Sequence, residues 1–332
     1  MKNERQKISI TFFPTFSSIC FPLVLTLALF ILIFAPVFAP VYAGESEDSS
    51  PFKPGLHLKL TGGFTQSTIG DINDHLNSMN KYLVDYYRQL ATGQIKTLNT
   101  DKSDFQFEVL WDLSRKFKLG VATSIPARYH KESTFQASDL ENEQLKREIT
   151  VKPEIKAWMP LKVSLYYSVY SNSTMDVSAY TGLILFSAKM SEEQTFESDY
   201  PDETVLYNNK DWVADRDVFA GWQGGVSLEY GLGKNLSIVA DFEARLARNT
   251  SMKGKMVYTL NNSPDHIGDV SAIYASGYLY YLSSANGYYD LAIDTPVHFD
   301  ATGLPSPGTI DREVRLDLSG FSFRVGLRLR LF

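Results

Sequence analysis

The chain has 332 residues, 13% of them aromatic (19 Tyr and 21 Phe), and a formal net charge of −6. An acid excess disfavours nucleic acid as a partner. A single cysteine, Cys20, excludes a disulfide-stapled secreted domain and any Cys-based metal site.

The N-terminus reads as an export signal. Lys2, Arg5 and Lys7 give a positive start, an apolar run extends from Ile19 to Phe38, and Val41-Tyr42-Ala43 supplies small residues where a signal peptidase cuts. Residues 1–43 are therefore a predicted signal peptide, with a retained anchor as the alternative that the length of the apolar run allows. Cleavage removes Cys20 along with three bases and one acid, leaving 29 bases against 37 acids and a net charge of −8.

The remaining sequence alternates with period two, which puts successive side chains on opposite faces of a strand. Leu56, Leu58 and Leu60 alternate with His57, Lys59 and Thr61. A helix follows: Ile72, His75, Leu76, Met79, Tyr82, Leu83, Tyr86, Tyr87 and Leu90 recur at three- and four-residue spacing, and Asp71 or Asn73 is placed to cap it. Phe105, Phe107, Val109, Trp111 and Leu113 form a second strand, and Phe117, Leu119, Val121 and Ile125 a third. From Ile149 to Val169 eleven consecutive odd positions carry no charge, while the even ones include Lys152, Glu154, Lys156 and Lys162. Pro160 either lies within this one long strand or divides it. The run from Met175 to Lys189 is apolar on both faces. Trp222 to Tyr230, Leu236 to Leu246 and Val325 to Leu331 complete eight predicted strands.

Link lengths sort by parity. Ser114–Lys116, Asn172–Thr174 and Gly231–Asn235 are tight, whereas 66–103, 129–147, 190–218 and 249–311 are long. Short turns on one side and long loops on the other are the habit of outer-membrane barrels. The expected fold is an all-β, eight-stranded antiparallel transmembrane β-barrel over 55–332, with long extracellular loops and one helix in the first of them. Residues 44–54 form a short periplasmic lead-in.

On this reading the apolar positions meet lipid and the charged ones face inward. A lumen network of Lys59, Glu108, Asp112, Lys118, Glu154, Lys162, Glu229, Asp241, Glu243, Arg245, Arg324 and Arg328 is expected, since enclosed charges persist when paired. Lys152, Lys156, Asp317 and Arg330 share the inward parity, and His57 is expected inside as a neutral hydrogen-bonding group. Tyr166, Tyr167, Tyr170, Tyr230 and Phe117 fall near the short turns, where an aromatic belt would sit.

The run Leu318-Ser319-Gly320-Phe321-Ser322-Phe323-Arg324-Val325-Gly326-Leu327-Arg328, followed by a terminal Phe332, resembles small bacterial outer-membrane β-barrel proteins of the OmpX, OmpW and OmpA-membrane-domain kind. Gly221 to Tyr230 and the Gly70-Asp71-Ile72-Asn73 helix start look similar to members of that class. The resemblance implies that Leu327, Leu329 and Phe332 are read by the outer-membrane assembly machinery. Phe332 stands one residue out of step with the outward parity of Leu331.

For chemistry the sequence offers little. The five histidines show no metal-ligand spacing and no hydrolase motif occurs, so neither metal nor cofactor is expected. A rim enzyme would draw on His130 with Glu132 and Ser133. Residues 191–218 carry nine acids against two bases, a charge run suited to divalent cations or simply to water. Tyr274, Tyr278, Tyr280, Tyr281, Tyr288 and Tyr289 suggest either a ligand-gripping patch or an extracellular hairpin. The expected function is that of a non-enzymatic barrel with a plugged charged lumen, whose external loops serve binding, adhesion or envelope stability. The alternatives are a narrow channel for small hydrophobic molecules and a rim-located lipid enzyme. Expected partners are outer-membrane lipid, lipopolysaccharide and the assembly machinery, with no nucleic acid.

Overall fold

A computed structural model describes residues 54–87, 91–138, 146–199, 205–261, 270–283, 289–293, 297–299, 305–307 and 309–331. The predicted signal peptide, nearly all of the 44–54 segment, Tyr288, His266 and Phe332 lie outside the described residues.

The described chain is antiparallel β throughout, apart from one helix. Eight strands hold the alternating segments: β1 (Leu56–Gly70), β2 (Asp101–Asp112), β3 (Phe117–Ser124), β4 (Lys146–Ser171), β5 (Met175–Asp199), β6 (Val205–Gly231), β7 (Leu236–Leu246) and β8 (Leu316–Arg330). Each pairs with the next in sequence, and β8 pairs back onto β1 from His57↔Arg330 to Gly70↔Leu316. The ring is uneven, because β4, β5 and β6 run for 26, 25 and 27 residues while β3 has only eight. The tight links are as the sequence suggests. Ser114 Oγ accepts from the amides of Lys116 and Phe117, and Asn172 Oδ1 accepts from those of Thr174 and Met175. Such Asx and Ser turns reverse a strand with minimal chain.

The long β4 is one strand with a fault in it. Its register against β5 shifts between Trp158 and Leu161, where β4 spends one residue more than its partner. A one-residue bulge flips every side chain beyond it to the other face. Below the bulge the even residues Lys162, Ser164, Tyr166 and Ser168 are buried, and Leu161, Val163 and Leu165 are exposed. Above it the odd residues Val151, Pro153, Ile155 and Ala157 are buried instead. β6 makes the same exchange against β5 between Arg216 and Phe219. The unbroken run of apolar odd positions in the sequence thus serves two opposite faces. It also follows that Lys152, Glu154 and Lys156 do not point inward as expected. They lie on the outer face, where Glu154 pairs with Arg128 and Lys156.

Above the bulges β4, β5 and β6 continue as a wall. The strands Ser133–Ser138, Lys253–Asn261, Val270–Ser283, Tyr289–Ile293 and Thr309–Glu313 widen it. This corrects the reading of 190–218 and 249–311 as loops. The acidic stretch is mostly the β5–β6 hairpin, its tip lying outside the described residues. The Tyr-rich segment is a strand whose Tyr278 and Tyr281 rings face Lys253 and Arg312 at 4.4 and 4.8 Å.

The helix α1 (Asp71–Tyr87) leaves β1 through Ile69 and Gly70, both at positive φ. It buries Ile72, Leu76, Met79, Leu83 and Tyr87 in one apolar cluster with Ile149, Val151, Ile155, Met190, Trp212 and Leu291. Each such side chain contributes about 1.5–3 kcal/mol on burial, so the concave side of the wall is the core of this upper region. Asp71 and Asn73 hold tertiary partners. Asp71 grips the Arg312 guanidinium and accepts from the Arg315 amide at 2.7 Å, and Asn73 Oδ1 accepts from the Leu98 amide at 2.8 Å.

Candidate functional site

Two buried polar systems lie along the axis of the molecule, one inside the ring and one above it. Both arise because inward-facing strand positions carry ionisable residues.

Inside the ring, Lys59 on β1 lies 3.2 Å from Glu108 on β2 and 2.8 Å from Asp241 on β7. Arg324 on β8 reaches Asp104 at 2.7 Å and Glu243 at 2.6 Å, while Lys162 on β4 pairs with Glu243 and donates to Gln106 at 2.8 Å. Tyr166 and Tyr180 donate to Glu108 and Glu243 at 2.8 and 3.3 Å. Lys59, Lys162, Arg245 and Arg324 are thereby enclosed with Asp104, Glu108, Asp241 and Glu243, all at most 4% exposed. Four positive groups face four negative ones, the condition under which enclosed charge is tolerated. Toward the short turns Lys118 meets Asp176 at 2.8 Å, His57 meets Asp112 at 2.9 Å, and Arg328 pairs with Glu229. Arg245 takes no carboxylate; it donates to the Leu318 carbonyl at 2.9 Å and to Ser67 at 2.7 Å. Glycines make the room. A Cβ at Gly120 would lie 2.3 Å from Glu108 Oε1, and one at Gly225 would lie 2.7 Å from the Tyr180 hydroxyl.

The sequence-predicted set therefore comes together except for Glu154. Of the other residues given inward parity, Asp317 pairs with the well-exposed Arg248, and Arg330 is itself exposed. Asp104 and Tyr180 escaped the sequence reading, and Tyr166 was assigned to the aromatic belt. It is buried at 3% exposure. Its even position on β4, in step with Lys162, was the available signal.

Two small cavities lie among these side chains. The cavity between Lys59, Tyr166 and Arg328 holds about 10 Å3, and the one between Asp104, Tyr129 and Arg245 about 20 Å3. Each is the space of one water molecule.

Above the ring, α1 brings His75 against the wall. Its Nε2 lies 3.1 Å from Glu192 Oε1 on β5, and its Nδ1 lies 3.9 Å from Asp290. Lys210 on β6 donates to both Asp290 oxygens at 2.6 Å, and Gln194 donates to Glu192. All five residues are at most 2% exposed. Lys210 pairs with Asp290, and the His75 imidazole is the basic group beside Glu192 among the described residues. Burial alone would lower the His75 pKa, but Glu192 and Asp290 outweigh it and hold it above the ordinary value. Burial would likewise raise Asp290, and Lys210 with His75 keeps its carboxyl below the usual range. Beyond a histidine on the apolar face of the helix nothing in the sequence pointed to this cluster, since His75 lies 117 residues from Glu192 and Lys210 lies 80 from Asp290.

The rim triad does not assemble. His130 is exposed and paired in register with Glu154, whereas Ser133 is buried, opposite Val151, and accepts from the Lys96 amide at 3.2 Å. The two residues occupy opposite faces of the wall.

No protein-family model and no curated sequence matches the chain. Solved structures similar to it are outer-membrane proteins. A major outer membrane protein from Thermus thermophilus matches with 11% identity and a TM-score of 0.30, over 84% of this chain and 100% of that one. OprG from Pseudomonas aeruginosa matches with 13% identity and a TM-score of 0.31, over 83% and 96%. The outer membrane protease OmpT from Escherichia coli matches with 9% identity and a TM-score of 0.31, over 86% and 100%. The expectation of a non-enzymatic protein is corrected here, because an outer-membrane protease stands among these structures.

Proposed function

We propose that the chain is an eight-stranded outer-membrane β-barrel with a sealed, ion-paired lumen. It carries an extracellular head that serves binding, adhesion or stabilisation of the envelope, and lipid and lipopolysaccharide are its immediate surroundings. The observation that carries this reading is the inversion of polarity across the ring. Phe64, Phe107, Trp111, Val163, Leu183, Trp222, Phe242, Val325 and Leu327 are exposed outward, while Lys59, Glu108, Asp241 and Arg324 are enclosed. A water-soluble sheet exposes its charges and buries its aromatics, and only lipid outside rewards the reverse. Tyr170, Tyr230 and Phe117, all exposed near the short turns, suit the periplasmic interface. Within this reading Leu327 and Leu329, exposed on β8, remain the residues offered to the assembly machinery.

The test is electrophoretic and electrical. The protein should fractionate with the outer membrane and change its migration on heating. In planar bilayers it should pass no steady single-channel current, because the enclosed spaces hold one water each. Steady conductance would favour a narrow channel, and solubility of the folded chain without detergent would defeat the membrane reading.

A further inference from the structure

Just above the apolar band, on the outer face of the wall, the strand register lines up a row in which basic side chains predominate. Arg128 stands opposite Lys156, Lys156 opposite Lys189, Lys189 opposite Asp215, and Asp215 opposite Lys253. Directly opposed side chains lie about 4.5–5.5 Å apart at Cβ, and like charges so placed repel. The row and its neighbour Glu154 hold four cations against two carboxylates. Glu154 is shared between Arg128 and Lys156, and Lys189 has no ion pair among the described residues. One rung below, the Trp158 indole donates to the Ser124 carbonyl at 3.0 Å and leaves its ring 45% exposed. Pro126, Lys156, Trp158, Ser187, Lys189 and the carboxylate of Asp215 line a groove of about 290 Å3. Beneath it Ile125, Leu161 and Leu183 are exposed and apolar.

We infer that this groove binds the phosphate headgroup of an outer-leaflet lipid, with Lys156 and Lys189 on the phosphate and an acyl chain descending over Leu161 and Leu183. The inference rests on the membrane reading above. Charge and height select the occupant together. Two rungs higher, the wall carries Lys152, Glu193 and Asp211 in register, a mixed row with no cationic excess. The cations are concentrated at the border where hydrocarbon gives way to headgroups, beside an interfacial tryptophan. A phosphate there relieves the repulsion between two lysines that the fold places side by side.

The test uses the full chain in nanodiscs of phosphatidylcholine containing lipid A, a lipid with two phosphates. Lipid retained on the released protein is counted by native mass spectrometry. Wild type should keep lipid A in preference to phosphatidylcholine. Lys156→Gln/Lys189→Gln should weaken that retention about twenty-five-fold, taking a factor of roughly five for each basic residue at an anionic surface. Lys152→Gln/Lys255→Gln, higher on the same wall, should keep wild-type retention. Heat-modifiable migration identical in all variants shows that they fold. If the first variant keeps lipid A as wild type does, or phosphatidylcholine is held equally well, the site is refuted while the barrel stands. If wild type does not enter nanodiscs at all, the barrel fails and the site with it.

Discussion

At the scale of single residues, the enclosed charges fix what each side chain is worth. Arg324 neutralises two carboxylates, Asp104 and Glu243, at 1% exposure. Arg324→Met leaves Asp104 uncompensated and Glu243 with Lys162 alone, and the expected loss is about 3–5 kcal/mol, the usual consequence of breaking a buried pair from one side. Urea unfolding in detergent would measure it, and a loss below 1 kcal/mol would show that the interior is wetter than described. Protonation makes His75 more telling. Because its folded-state pKa is raised, its contribution is fully present below the unfolded imidazole value of about 6.5 and disappears as pH rises through the folded value. The helix should therefore loosen on the alkaline side. Protease cleavage within Asp71–Tyr87 should increase as pH is raised above neutrality, and His75→Gln should flatten that dependence.

At the scale of elements, the β4 bulge decides which substitutions are tolerated. Val163 and Ile155 share odd parity, yet one faces out below the bulge and the other is buried against α1 above it. On the proposed membrane placement, Val163→Arg puts a charge in hydrocarbon and should cost about 2–4 kcal/mol near the midplane. Thr150→Arg, on the outer face of the wall, loses the hydrogen bond between Thr150 and Thr134 and should cost about 0.5–1.5 kcal/mol. Refolding yields into liposomes would separate them; equal yields would mean that the band does not meet lipid. In the helix, Leu76→Ala opens a hole in a fully buried cluster and should cost about 2–5 kcal/mol, read as earlier proteolysis of the head. The alternating strand segments and the helix were legible in the sequence, because alternation and three-to-four spacing are local signals. The bulge was not, since Met159 and Pro160 leave the apolar pattern unbroken while the environment on each side is exchanged. The upward extensions of β5 and β6 were missed for a related reason. Their inward faces carry Glu192, Gln194 and Lys210, whose partners on α1 and at Asp290 are distant in sequence.

At the scale of the whole molecule, two regions share three strands but obey opposite rules. The ring encloses its charges and shows its apolar side chains outward, whereas the wall above it buries apolar side chains around α1 and shows Thr150, Lys152 and Lys156 outward. Most of the charged residues that meet inside the ring could be named from strand parity alone. Glu154 failed because that parity was carried across the bulge.

The attachment of α1 has a consequence for the order in which the protein is made. The helix follows β1 directly, but the groups that hold its first turn, Arg312 and the Arg315 amide, arrive only with the segment entering β8. β8 is also the strand that completes the pairing with β1. A nascent polypeptide stopped before residue 309 would thus be unsealed at its flank and unclasped at its summit simultaneously. Closure and docking become a single late event, and a half-built copy carries both defects where a quality-control protease can recognise them.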